Sequence, residues 1–133
     1  MMQKVFFATG GSEFSRYTSG TPSSWYICTA TSTENTLTEY QQGSWSAVFV
    51  YWSNPTGQTN QFNAQSFINF VRTQSTNPNI PVFLIVPSQY ASQATSWQET
   101  ANATGYVIWN ENNPTEFINQ VQTTLTRFNV VAA

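Results

Sequence analysis

Residues 47–52, Ala-Val-Phe-Val-Tyr-Trp, are six consecutive apolar or aromatic side chains, stopped by the turn Ser53-Asn54-Pro55-Thr56-Gly57. A strand with one wet face alternates polar and apolar residues, whereas a run without alternation needs cover on both faces. Such a strand belongs in the middle of a parallel sheet clad with helices on each side. A second run, Val82-Phe83-Leu84-Ile85-Val86, makes the same demand. Two doubly covered strands in 133 residues predict one α/β domain spanning the whole sequence, 1–133. In open sheets of this kind ligands sit beyond the carboxyl ends of the strands. The loop after Trp52 is therefore the first place to seek a site, and it carries hydroxyls, amides and rings but no charge.

Charge is scarce everywhere. Only 8% of residues are charged, against roughly a quarter in ordinary globular domains. Gln, Asn, Ser and Thr number 12, 13, 14 and 19, so amides and hydroxyls must solvate the surface. There is no Asp and no His, which removes Ser-His-Asp and Cys-His catalysis. With Cys28 as the sole cysteine, a zinc site lacks good ligands and no intrachain disulfide exists. Cys28 is read as a small buried side chain. Four scattered cations, Lys4, Arg16, Arg72 and Arg127, make no nucleic-acid footprint. No run reaches membrane-spanning length and the N-terminus lacks a signal-peptide segment, so a cytoplasmic protein is expected.

In chain order, Lys4–Ala8 reads as a buried strand, and Thr9-Gly10-Gly11-Ser12 as a turn opening a short helix with Ser12 as N-cap. Gly20-Thr21-Pro22 ends that helix. Trp25–Ala30 is a strand by its β-branched and aromatic content. Thr31 and Glu34 have capping-box spacing, and Gly43 suits the C′ position of the helix they begin. Gln61–Gln74 is a helix with Phe67, Ile68, Phe70 and Val71 inward. After Pro87, Ser88 caps a helix to Thr104 whose stripe is small, Ala91, Ala94 and Ala101 beside Tyr90 and Trp97, so it is expected to be the most mobile helix. Gly105 closes it. Tyr106–Trp109 is the last strand, and Asn113-Pro114-Thr115-Glu116 starts a helix with Phe117, Val121, Leu125 and Phe128 on one face. Five strands alternating with five helices imply a three-layer α/β/α sandwich.

In that order the chain resembles the receiver domain of two-component response regulators, a flavodoxin-like fold. The resemblance covers Lys4–Phe128 and rests on Ile80-Pro81-Val82-Phe83-Leu84-Ile85, on Thr104-Gly105-Tyr106-Val107-Ile108-Trp109, and on Pro114-Thr115-Glu116-Phe117. It implies a five-stranded parallel sheet in the order 2-1-3-4-5 with five helices. The family's functional positions are not kept. Its acidic pair corresponds to Thr9 and Gly10, its phosphoryl-accepting Asp to Tyr51, its switch Thr or Ser to Val86, and its Lys to Trp109. Mg²⁺ needs carboxylate oxygens, and phosphoryl transfer needs the metal and the cation, so neither is expected here.

Three functions fit these residues. The first is a non-catalytic pseudo-receiver that binds a protein partner or itself, with Tyr106 and Trp109 as the candidate face. The second is a flavodoxin-like binder of FMN or another phosphorylated small molecule. Its ligand loop would be Thr9, Gly10, Gly11, Ser12, Tyr51, Ser53 and Asn54, the Gly-Gly turn cradling phosphate. The third is a designed or redesigned sequence on a receiver-like backbone, suggested by the absence of Asp and the uncharged surface. Each site residue also has a structural reading: Tyr51 and Trp52 packed under loops, the Gly-Gly segment as a plain turn, Trp109 closing the sheet edge. The leading expectation is no catalysis, no cofactor, no metal, no nucleic acid and no membrane.

Overall fold

The doubly apolar runs take the positions their patterns demand. In the computed structural model, which describes residues 4–11, 25–53, 56–75, 77–110 and 114–127, five strands pair in parallel. They are β1 Val5–Ala8, β2 Trp25–Cys28, β3 Ala47–Tyr51, β6 Val82–Pro87 and β7 Gly105–Trp109, with a small hairpin of β4 Gln58–Thr59 and β5 Phe62–Asn63 between β3 and β6. The sheet order is β2-β1-β3-β6-β7, which is 2-1-3-4-5 counting the parallel strands alone. β3 and β6 lie at the centre with β1, and every residue of Val5–Ala8, Ala47–Val50 and Val82–Val86 is buried. The helices are α1 Thr33–Gln41, α2 Ala64–Thr73, α3 Ala94–Ala101 and α4 Pro114–Arg127, with a 3₁₀ turn at Ser88–Gln93. The helix expected to begin at Ser12 lies outside the described residues.

Each face of the sheet has its own core. On one face Phe6, Val48, Val50, Val82, Leu84 and Val86 meet Tyr40 of α1, Phe67, Ile68 and Val71 of α2, and Trp97 of α3. On the other, α4 lays Phe117, Val121 and Leu125 against an aromatic ladder. Trp25, Phe7, Phe49 and Phe83 run across four adjacent strands with centroids 4.9, 5.0 and 5.0 Å apart. In-register pairing of Phe7 with Phe49 and of Phe49 with Phe83 sets those spacings. The three Phe rings, wholly removed from water, each contribute about 1.5–3 kcal/mol by burial.

Several sequence-based boundaries shift, each for a visible reason. The N-cap of α1 is Ser32, which accepts from Asn35 N at 3.2 Å, not Thr31. Gly43 follows the C-cap Gln42 without a left-handed φ; what it provides is room, since a Cβ there would come within 2.7 Å of Trp45. α2 starts at Ala64, capped by Asn63 through Ser66 N at 2.8 Å, because residues 58–63 form the hairpin. Phe70 is only half-buried, and Ala64 takes its place in the inward stripe. The stretch expected as one helix over Ser88–Thr104 begins as a 3₁₀ turn with no side-chain cap and no buried residue, leaving Ala91 exposed. α3 ends not at Gly105 but at Asn102, whose φ of 57° is the left-handed conformation asparagine tolerates. Gly105 is then free to pair with Phe83 in β7.

Arg72 shows how this charge-poor chain uses a cation. Its guanidinium donates to the carbonyls of Pro78 at 3.0 Å, Ile80 at 2.6 Å and Asn102 at 3.3 Å. The loop after α2 is thereby pinned to the C-terminal end of α3, where the helix dipole favours positive charge. Burial holds its pKa below the ordinary arginine range.

Candidate functional site

The carboxyl ends of β1 and β3 are closed by the hairpin. Thr9, at the end of β1, is wholly buried, and its hydroxyl donates to the Cys28 carbonyl at 2.6 Å. It also accepts from Gly11 N at 3.3 Å, so one of the amides that would have to cradle a phosphate already has a partner. Gly10 and Gly11 both have positive φ, 65° and 74°. Phe62 and Thr59 lie against Gly10, where a Cβ would come within 2.9 Å of the Phe62 ring, and Thr31 lies against Gly11. Asn60, at the tip of the hairpin, donates to the Gly10 carbonyl at 2.7 Å.

The hairpin is fixed on its other side as well. Gln61 N donates to Thr31 O at 2.9 Å, Thr33 N donates to Gln61 O at 3.3 Å, and Asn63 N donates to Thr33 Oγ1 at 2.8 Å. Phe62, fully buried, is the plug, its ring tilted against Phe67 with centroids 5.8 Å apart. The turn itself relies on Asn60 with φ 54°. This hairpin was missed in the sequence because Gln58-Thr59-Asn60-Gln61-Phe62-Asn63 has neither β-branched alternation nor an Asn-Gly pair. A lone buried aromatic between amides was the only signal.

The predicted ligand-loop residues are thus only partly brought together. Ser12 and Asn54 lie outside the described residues. Tyr51 is half-buried and packs toward the α4 face with Ile27 and Ile118, away from Thr9 and Gly10. Ser53 pairs its hydroxyl with that of Thr59 at 3.3 Å, joining the loop to the hairpin. Trp52 is buried beneath Gly57, 6.4 Å from Trp97 between centroids. Its Nε1 is a buried donor with no partner among the described residues. No group of three or more potential metal-ligating side chains occurs among the described residues.

Tyr106 and Trp109 do not share a face. Trp109 is buried and meets Phe117 of α4 edge-on at 5.1 Å, while Tyr106 is exposed on the side of the sheet that carries α3. β7 alternates strictly enough to put residues three apart on opposite faces. Its edge is partly guarded, because Gln120 of α4 accepts from Ile108 N at 3.2 Å. The opposite edge strand, β2, exposes Tyr26, whose hydroxyl donates to Glu39. That bond, and then burial, pushes the Tyr26 pKa up to about 12, and burial pushes the Cys28 thiol up to about 11.

Strand order and layers together define a flavodoxin-like α/β fold of the receiver type. Among solved structures the chain is similar to the REC domain of AraT, a response regulator from Geobacillus stearothermophilus, with a TM-score of 0.55 and 15% identity. The match covers 97% of this chain and 99% of that one. No family model matches the sequence, and no curated protein matches it. Among the described residues, no helix is long and apolar enough to cross a membrane.

Proposed function

We propose that this chain is a non-catalytic receiver-like domain that acts by contact with a protein partner rather than by accepting a phosphoryl group. The observation that carries the reading is the state of the sheet's carboxyl edge. The position matching the phosphoryl acceptor is Tyr51, half-buried against the core on the α4 side, and the loop matching the acidic pair is held under Phe62 and Asn60. Among the described residues at the carboxyl ends of β1 and β3, no carboxylate stands to bind Mg²⁺ or to be phosphorylated. Tyr106, exposed on β7, is the residue of the candidate partner face that a partner would meet, with Trp109 behind it fixing α4. The flavin reading is less well supported, because it needs the Gly10-Gly11 amides open to an incoming phosphate.

Incubation with acetyl phosphate and Mg²⁺, followed by intact mass measurement, tests the proposal. The expected result is no phosphoryl increment, together with unchanged amide spectra on adding beryllofluoride. A stable increment on any residue of the strand mouths would sink it.

A second reading, a designed or redesigned sequence on this backbone, draws on the 58 Gln, Asn, Ser and Thr residues and the complete lack of Asp. Idealised designs are typically hyperstable, with Tm above about 90 °C, whereas mesophile domains unfold at about 45–65 °C. A melting temperature in the lower range would count against design.

A further inference from the structure

We propose that the cavity between the C-terminal ends of α1 and α2, at the amino edge of the sheet, binds a neutral polyhydroxylated ring of monosaccharide size. It lies at the opposite edge from the strand mouths and does not depend on the receiver-like reading. Its volume is about 390 Å³, within the range of about 300–1,000 Å³ typical of small-molecule sites. Its aromatic lining is Tyr40, Trp45 and Phe70.

Trp45 is held in place before any ligand arrives. Its Nε1 donates to the Tyr40 carbonyl at 2.7 Å, its ring meets Phe6 at 4.9 Å, and the backbone of Gly43 lies against its six-membered ring. A platform already ordered loses little entropy on binding. Around it stand Gln41, Ser44, Gln74 and Asn77. Their side chains have no hydrogen-bond partner among the described residues, whereas the amides of Asn60, Asn63, Gln98 and Gln120 are taken up by protein groups. Three amides and a hydroxyl thus line the same cavity as the three rings, and each amide both donates and accepts.

The chemistry of the lining selects the ligand. No charged side chain lines the cavity, and Arg72, whose charge reaches Tyr40, directs its N–H groups to backbone carbonyls instead. An ionic ligand would have to give up its hydration with no counter-charge in return. A pyranose presents a face of C–H groups to the aromatic lining and a perimeter of hydroxyls matched to amides. A linear polyol lacks the flat face, and an apolar ring lacks the hydroxyls.

Amide spectra of the full ¹⁵N-labelled chain, titrated with the methyl pyranosides of glucose, galactose and mannose and with cyclohexanol, test this. At least one pyranoside should shift the Trp45 indole N–H and the side-chain amides of Gln41, Gln74 and Asn77 along saturating curves, and cyclohexanol should do so more weakly. Gln41→Ala and Gln74→Ala remove exposed groups, leave the fold intact, and should each weaken binding roughly two- to tenfold, the worth of one neutral hydrogen bond. Absence of saturation with all three sugars, equal response to cyclohexanol, or unchanged affinity in the double variant would overturn the proposal.

Discussion

Thr31 occupies the space that a side chain on Gly11 would need. Alanine at that position would sit at φ 74° with its Cβ 2.5 Å from Thr31 Cγ2. The left-handed backbone alone costs about 1–2 kcal/mol for a residue with a Cβ, and the contact adds to it. Gly11→Ala should therefore destabilise by about 2 kcal/mol or more in urea unfolding, and a shift under about 0.5 kcal/mol would show the turn to be loosely packed. Titration at residue scale has a fixed sign. Tyr26 and Cys28 both hold their protons more tightly when folded, so the folded chain binds more protons than the unfolded one at alkaline pH. Their contribution is fully present below the unfolded values and is lost as pH rises through the folded ones, from about pH 9 to about pH 12. Thermal melting should fall across that window, and the Tyr26→Phe, Cys28→Ala double variant should flatten the fall.

At the scale of elements, the hairpin decides how the strand mouths are used. Phe62→Ala removes its only buried ring and should cost about 3–5 kcal/mol, as large-to-small changes at packed aromatics do. If instead the loss is under about 1 kcal/mol in chemical denaturation, the hairpin is a surface ornament and the mouth is open. The 3₁₀ segment Ser88–Gln93 is the opposite case, with no buried residue, no side-chain cap and a non-helical Tyr90. Its amides should exchange with solvent faster than those of α2 and α4, read by hydrogen exchange; equal protection would contradict the expectation of a mobile segment. The strands were legible because doubly buried positions admit few residue types. The caps were not, because Thr31-Ser32-Thr33-Glu34-Asn35 offers cap-competent residues at every register and only the contact with Gln61 selects Ser32. The hairpin was illegible for a related reason: its energy comes in part from Phe62 meeting Gly10, a contact that lies far away in sequence. Of the candidate site, the placement of Thr9 and Gly10 at the strand mouth was readable, but what covers them was not. The separation of Tyr106 from Trp109 follows from strand periodicity and was open to inspection in the sequence itself.

For the molecule as a whole, the scarcity of charge fixes how it responds to its surroundings. Salt acts on proteins at moderate strength mainly by screening charges about a Debye length apart. With four Lys and Arg, six Glu and a net charge of −2, there is little to screen. Sodium chloride from about 0.01 to about 0.15 M should accordingly leave the melting temperature nearly unchanged, where a charge-rich domain would respond. The same lack of charge removes the repulsion that keeps copies apart, and Tyr26 and Tyr106 expose aromatic surface at the two edge strands. Light scattering should therefore show the apparent mass rising with concentration toward the millimolar range, and to a similar extent at low and moderate salt. Charge-driven association would weaken as salt is added; association through amide and aromatic surface has no reason to. A monomer that stays dispersed at millimolar concentration would mean that amides and hydroxyls alone hydrate these edges well enough to keep two copies from docking.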